Sequence, residues 1–203
     1  SHTLNKYSYK YLFKESDLFF DWYLPLFLSN KKCLDIKIKS KKILLKLYKR
    51  LNFSNSCFVH RDYHAQNLIK VSNKIGVIDS QDALIGNPAY DLVSLIDDVR
   101  IKTSKELKNN IYNYYLKRAP RVYRIESKKF LEDFSILSVQ RSLKIIGIFS
   151  RLFQRDKKKQ YLKFIPYAWQ LLEMRMNAKI FLKLKKIIDH NIPKKFRKRI
   201  INK

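Results

Sequence analysis

The stretch FVHRDYHAQNLIKVSNKIGVIDSQDALIGNPAYDLVSL, Phe58 to Leu95, decides how the rest of the chain is read. β-Branched and apolar residues bounded by turn formers predict three short strands, Cys57 to His60, Asn67 to Val71 and Ile75 to Asp79. Ser72-Asn73-Lys74 is the turn between the second and third, which then pair as a hairpin. That hairpin puts Asn67 at the start of one arm and Asp79 at the end of the other, side by side. Asp62 lies in the loop leading into it, so three oxygen-bearing side chains converge without any of them needing to lie in a core. Hard oxygen ligands of this kind suit Mg²⁺.

The order His60-Arg61-Asp62-Tyr63-His64-Ala65-Gln66-Asn67, followed by Asp79, resembles the catalytic-loop pattern H-R-D-x-x-x-x-N of protein kinases and its metal-binding aspartate. The resemblance implies phosphoryl transfer from ATP. Asp62 would accept the proton of the attacking hydroxyl, while Asn67 and Asp79 would hold the Mg²⁺ ions that bridge the nucleotide phosphates. His60 would orient the loop through backbone contacts, and His64 would lie near the phosphates or the acceptor. Asp79 is followed by Ser-Gln rather than Phe-Gly, and Gly86-Asn87-Pro88-Ala89-Tyr90-Asp91-Leu92 arrives too soon for an activation loop, which argues against a protein substrate. HxDxxxxN, then Ile-Asp, then G-x-P-x-x-D-L resembles the aminoglycoside phosphotransferase and choline kinase family of small-molecule kinases.

Four further segments resemble one branch of that family, the bacterial anomeric kinases of N-acetylmuramate and N-acetylglucosamine, which phosphorylate an amino sugar at C1 in cell-wall recycling. They are Val77-Ile78-Asp79-Ser80-Gln81-Asp82-Ala83, Tyr90 to Leu95, Glu15 to Phe19 before Trp22-Tyr23-Leu24, and Val139 to Leu152 with its Gln140-Arg141 pair. On that likeness Gln81, Asp82 and Arg141 are expected on the substrate side. Ser80 departs from the aromatic residue expected after the metal-binding aspartate, a difference of local packing. Asp91 would brace the catalytic loop by hydrogen bonding; the plain alternative is a first-turn acid favoured by the helix dipole. The runner-up acceptors are an aminoglycoside, choline or another small alcohol. A lobe that no longer catalyses and acts as a basic binding module is the alternative of another class.

A chain of 203 residues suffices for one domain with a sizeable core. With 46% hydrophobic and 14% aromatic residues it is no disordered polymer, and no apolar run reaches the length needed to span a bilayer. The opening residues do not read as a signal peptide. Cys33 and Cys57 stand apart without a CxxC, so neither a disulfide framework nor a zinc ribbon is indicated, and a cytoplasmic location is expected. His60 and His64 have the spacing of a helical zinc pair, but the interval holds the loop aspartate, follows a strand and lacks the accompanying Glu. The net charge of +27 comes mainly from lysine, in a chain rich in Ile, Asn, Tyr and Phe with only three glycines, the profile that A/T-rich coding imposes. Its lysines are spread over nearly every segment, whereas a nucleic-acid surface concentrates them on one face, so nucleic acid is not an expected partner.

Outside the central stretch the periodicity is helical. A helix from Lys6 to about Leu28, bent at Pro25, faces Leu18, Phe19, Trp22, Tyr23 and Leu26 to a core. Others follow from Leu34 to Leu51, from an Asn87-Pro88 cap to Ile96, and from Ser104 to Arg118. Asp97 and Asp98 are expected as a solvated helix end. The longest amphipathic run, Lys128 to Phe153, carries Phe130, Phe134, Leu137, Ile145, Ile148 and Leu152 in one stripe, with Arg141 in the vacant place. Desolvating that arginine unpaired would cost about several kcal/mol, so it pairs with an acid such as Asp62 or Asp82, faces a wet cleft, or snorkels outward. Ser150 to Lys159 reads as a charged connection. Tyr161 to Ile188, bent near Pro166, is the last helical region, with Leu171, Met174, Ala178, Phe181 and Leu184 inward. Residues 194–203 read as a solvated basic tail.

The fold expected is α+β and predominantly helical: a protein kinase-like C-terminal catalytic lobe over 1–203 with a short catalytic β-hairpin. The N-terminal β lobe, with its phosphate-covering loop and Lys–Glu pair, has no counterpart here. The expected partners are a small-molecule sugar, a nucleotide, and that missing lobe, supplied by the same gene or by a separate chain.

Overall fold

The computed structural model describes residues 3–198. In chain order these form α1 (Tyr9–Leu18), a π turn (Phe19–Tyr23), a 3-10 turn (Leu24–Leu26), α2 (Asn30–Tyr48) and β1 (Cys57–Val59). A 3-10 turn (Ala65–Asn67), β2 (Leu68–Val71), β3 (Lys74–Val77) and β4 (Leu84–Gly86) follow. The remainder is α3 (Tyr90–Ile96), α4 (Lys105–Arg118), α5 (Arg121–Ile125), α6 (Ser127–Asp156), α7 (Ile165–Arg175), α8 (Leu182–Asn191) and α9 (Lys194–Lys198). The protein is thus mostly helical, with two small antiparallel ribbons among the described residues, as expected of a kinase-like lobe. No described helix is long and apolar enough to cross a membrane. Two compact units are distinguished: residues up to Ser8 with Leu51–Ser138, and Tyr9–Arg50 with the residues from Val139 onward.

In the first unit, β1 pairs with β4 from Cys57↔Gly86 to Val59↔Leu84. The segment around Lys6 joins the other edge of β4, Tyr7 N donating to Ile85 O at 2.8 Å and Ile85 N to Asn5 O at 2.9 Å. β2 and β3 form the expected hairpin, in register from Leu68↔Val77 to Val71↔Lys74, so Lys74 belongs to the strand and Ser72 turns the chain with φ 52°. The apolar stripe of α6 supplies the core. Phe130 stands among Phe53, Tyr112, Tyr115 and Tyr123 with ring centroids 5.3 to 6.1 Å apart. Among these rings Asp133 is fully buried and accepts from Asn52 N, Asn52 Nδ2, Phe53 N and Asn87 Nδ2 at 2.7 to 2.9 Å. One carboxylate therefore ties the approach to β1 to the exit from β4.

Asn87, expected as a helix cap, instead joins this network, its Oδ1 accepting from Ala89 N at 3.0 Å, and α3 begins at Tyr90. Ser104 does cap α4, accepting from Leu107 N at 3.1 Å. Asp97 and Asp98 are not a solvated end. Both are buried; Asp97 takes the Lys108 ammonium at 3.1 Å and the Ser138 hydroxyl at 2.6 Å, and Lys108 also donates to Ile96 O. A buried carboxylate persists only when charge and hydrogen bonds compensate it, and here the compensating groups come from α4 and α6.

In the second unit, the first helix does not run on to Leu28. After Leu18 it widens into the π turn and then tightens into a 3-10 turn with Pro25 at its start. The extra residue rotates the stripe: Phe19, Phe20, Tyr23 and Leu24 are buried, and Trp22, expected in the core, is half-buried. Gly147 of α6 marks the cause, since a Cβ there would stand 2.3 Å from Leu18 C and 2.5 Å from Phe19 N. Beside this close approach, buried Glu15 accepts from Gln140 Nε2 at 2.9 Å and pairs with Lys144 at 3.1 Å.

α6 runs unbroken to Asp156, so most of the expected charged connection is helix, and Ser150 is fully buried with its hydroxyl on Ile146 O at 2.8 Å. The last helical region divides at Met176 to Ala178. Leu171, Phe181 and Leu184 are inside as expected, together with Leu172 and Met176, whereas Met174 on α7 and Ala178 in the break are exposed. The basic end is not solvated at Arg197, which is 3% exposed and pairs with Glu173 at 2.7 Å and Asp189 at 2.8 Å over the ring of Trp169. Residues 199–203 of the expected tail lie outside the described residues.

Candidate active site

The first unit carries the segment His60 to Asn67 between β1 and β2. His60 is 2% exposed and its Nε2 donates to Ile78 O at 2.8 Å, while Nδ1 is buried without a partner among the described residues. Its backbone N donates to Asp91 Oδ2 at 2.7 Å, and the next amide, Arg61 N, to Asp91 Oδ1 at 3.1 Å. A first-turn carboxylate of α3 thus grips two consecutive amides of the loop, beyond what a favourable dipole contact alone requires. Arg61 between them has φ 73°, a left-handed conformation that costs about 1–3 kcal/mol unless its surroundings impose it. Its guanidinium donates to Asp82 O at 3.0 Å.

Asp62 follows, partly exposed. Its carbonyl accepts from His64 N and from Asn67 Nδ2, both at 2.9 Å. The second bond fixes the Asn67 amide, which is 9% exposed, with its nitrogen engaged and Oδ1 as its acceptor end. Asn67 O accepts from Ile78 N at 3.1 Å, so Asn67 lies beside Ile78 and Asp79 at the base of the hairpin. Asp79 is exposed, has φ 70°, and its Oδ1 accepts from Gln81 Nε2 at 2.8 Å. Asp62, Asn67 and Asp79 are therefore connected through two short links, Asn67 to the Asp62 carbonyl and Asn67 to the residue before Asp79.

The donors available for Mg²⁺ are the Asn67 amide oxygen and the Asp79 carboxylate, hard oxygens of the kind Mg²⁺ takes alongside waters and substrate phosphates. Among the described residues no group of three or more His, Cys, Asp or Glu is gathered to hold a metal. A dedicated protein cage is not what Mg²⁺ in a nucleotide site requires, so this sparse donor set fits it.

The other expected residues are placed as follows. His64 is 7% exposed, Gln81 contacts Asp79, and Asp82 is exposed, with its carbonyl holding Arg61. Arg141 belongs to the second unit, on α6, and at 3% exposure its guanidinium does not snorkel. Gln140 beside it is fully buried against Glu15 and Leu12 O. Asp98, expected only as part of a solvated helix end, contacts the loop directly: its Oδ2 accepts from Ala65 N at 3.3 Å. No spacing signal marks it, because its partner is a backbone amide.

The loop, the hairpin aspartate and the G-x-P-x-x-D-L helix start place this site among the kinase-like phosphotransferases. The profile of the phosphotransferase enzyme family matches residues 15–125, and the chain belongs to that family. Its similar relatives include the N-acetylmuramate/N-acetylglucosamine kinase of Caulobacter vibrioides, 35% identical over 67% of this chain and 38% of that protein. Kinases of the same name from Pseudomonas aeruginosa and Neisseria meningitidis are 34% and 31% identical, over 84% and 81% of this chain and 52% and 50% of theirs. The chain spans about half the length, or less, of the curated relatives it matches.

Proposed function

We propose that this chain is the catalytic lobe of an ATP-dependent kinase that phosphorylates an amino sugar, N-acetylmuramate or N-acetylglucosamine, at its anomeric hydroxyl. The observation that carries this is the loop closure in which Asn67 Nδ2 binds the Asp62 carbonyl while Asn67 O binds Ile78 N, which joins the proposed base to the proposed metal ligands. The names of the relatives supply the acceptor. Asp62, a partly exposed carboxylate, takes the proton of the sugar hydroxyl as that oxygen attacks the terminal phosphorus, whose bond to the bridging oxygen breaks so that ADP leaves. Asn67 through Oδ1 and Asp79 through its carboxylate would hold Mg²⁺, which would supply positive charge against the nucleotide phosphates. His60 and Asp91 keep the loop backbone in place, and Gln81 steadies Asp79. Residues that cover the nucleotide come from sequence outside this stretch, and the use of ATP suits a cytoplasmic location.

The test is phosphate transfer from labelled ATP to a panel of sugars by the full-length product of the parent gene. Asp62→Asn should lower kcat by about 10²–10⁴-fold with little change in nucleotide binding, and Asp79→Ala should abolish saturable dependence on Mg²⁺. Wild-type rates in both variants would refute the assignment.

A further inference from the structure

α3 has a carboxylate at each end, and both hold the same loop. Asp91 in its first turn takes the amides of His60 and Arg61. Asp98, just past its last turn, takes the amide of Ala65 through Oδ2 at 3.3 Å and that of Arg100 through Oδ1 at 3.0 Å, with the Arg100 guanidinium 3.6 Å from Oδ1. Asp98 is 3% exposed. Its neighbour Asp97 is locked to Lys108 on α4 and Ser138 on α6, so the backbone that presents Asp98 is anchored from two sides.

We propose that Asp98 is a positioning residue for the reaction: it clamps the second limb of the loop, as Asp91 clamps the first, and so holds the Asp62–Asn67 pair, itself joined by the bond from Asn67 Nδ2 to the Asp62 carbonyl, in place against α3. This rests on the phosphotransfer role given above. Ala65 lies between those two residues, and its amide is the point at which the loop turns into the 3-10 segment that delivers Asn67. Asn67 closes this limb through its bonds to the Asp62 carbonyl and Ile78 N, and Asp98 is what ties the turn inside it to the end of α3; displacements of about 1 Å at reacting groups cost up to about 10²-fold in rate. The position calls for a carboxylate because each oxygen accepts from a backbone N–H. An asparagine keeps the shape but offers one acceptor and turns an NH₂ toward a donor.

The experiment uses the full-length gene product with Asp98→Asn, and with Phe134→Leu as a core variant of the same unit, whose ring packs edge-on against Tyr112. Asp98→Asn should lower kcat about 10- to 100-fold and raise the half-saturating Mg²⁺ concentration severalfold. The acceptor KM should stay within about twofold, and amide exchange in the peptide that contains Ala65 should speed up at least about tenfold. Phe134→Leu should lose thermal stability while its Mg²⁺ dependence and Ala65 exchange match wild type. Unchanged Ala65 exchange in Asp98→Asn overturns the proposal, as does a Phe134→Leu variant that reproduces all of its effects. Wild-type enzyme inert toward every sugar removes the kinase reading, and faster Ala65 exchange in Asp98→Asn then still establishes the clamp.

Discussion

Replacing Asp133 by asparagine tests how the first unit is held around its site. Each carboxylate oxygen accepts two hydrogen bonds, Oδ1 from Asn52 N and Asn52 Nδ2, and Oδ2 from Phe53 N and Asn87 Nδ2. An asparagine can satisfy one of these pairs with its single oxygen and must point its NH₂ at the other. The Asn87 amide cannot turn over to compensate, because its Oδ1 already accepts from Ala89 N and its Nδ2 also serves Phe53 O. The retained pair falls from charge-assisted to neutral strength, a loss of about 1 kcal/mol, and two stranded donors facing a buried NH₂ cost about 1–3 kcal/mol each. Allowing for partial relaxation, the expected destabilisation is about 3–5 kcal/mol, a large part of the roughly 5–15 kcal/mol that holds a domain together. With a urea m-value of about 2 kcal/mol per molar, the unfolding midpoint should fall by about 2 M. A fall of less than about 0.3 M would refute the claim that this buried carboxylate holds four donors.

Two other tests reach different parts of the chain. Gly147→Ala would ordinarily stabilise a helix by about 1 kcal/mol, but the added methyl meets backbone atoms of Leu18 and Phe19, and overpacking of about 1–3 kcal/mol or more should win; a raised Tm would show that the two helices do not meet there. Burial first, and then the nearby Cys57 and Asp91, push the Tyr115 phenol up to about 12. Because its folded pKa lies above its ordinary value near 10, Tyr115 contributes stability that is present below about pH 10 and lost as pH rises through about 12. Its phenolate absorbance should therefore appear together with unfolding, and Tyr115→Phe should move that transition to higher pH; ionisation at the ordinary pH with circular dichroism unchanged would contradict this.

The hairpin and its loop were legible in the sequence because their signal is local: alternating apolar residues, a turn, and polar residues at fixed offsets. Asp133, Asp97, Asp98 and Arg197 were not, since an isolated charged residue reads as solvated until its partners are known. Those partners lie far along the chain, Lys108 and Ser138 for Asp97, Asn52 and Asn87 for Asp133. Asp98 was least visible of all, for a backbone amide 33 residues away leaves no trace in residue identity. The helical stripes slipped for a related reason. Periodicity assumes an unbroken helix, whereas the π turn at Phe19–Tyr23 and the break after Arg175 answer to packing, the first to the close approach at Gly147.

Backbone strain connects these observations to the chemistry. Arg61 and Asp79 both occupy the left-handed region, and both adjoin proposed reacting positions. Glycine would remove the strain at either place, yet the three glycines of this chain lie elsewhere. A glycine there would also release backbone freedom that must be lost again whenever the site closes on substrate. The structure instead holds each strained residue from the other's neighbourhood: Arg61 donates to the Asp82 carbonyl, three residues past Asp79, and His60, just before Arg61, donates to the Ile78 carbonyl, just before Asp79. With Asp91 on the amides of His60 and Arg61, the loop and the hairpin end constrain one another. Groups so fixed need little reorganisation when charge moves during transfer, which is where preorganised sites gain most of their rate. The strain is thus better understood as the cost of rigidity at Asp62 and Asp79 than as a by-product of the turns.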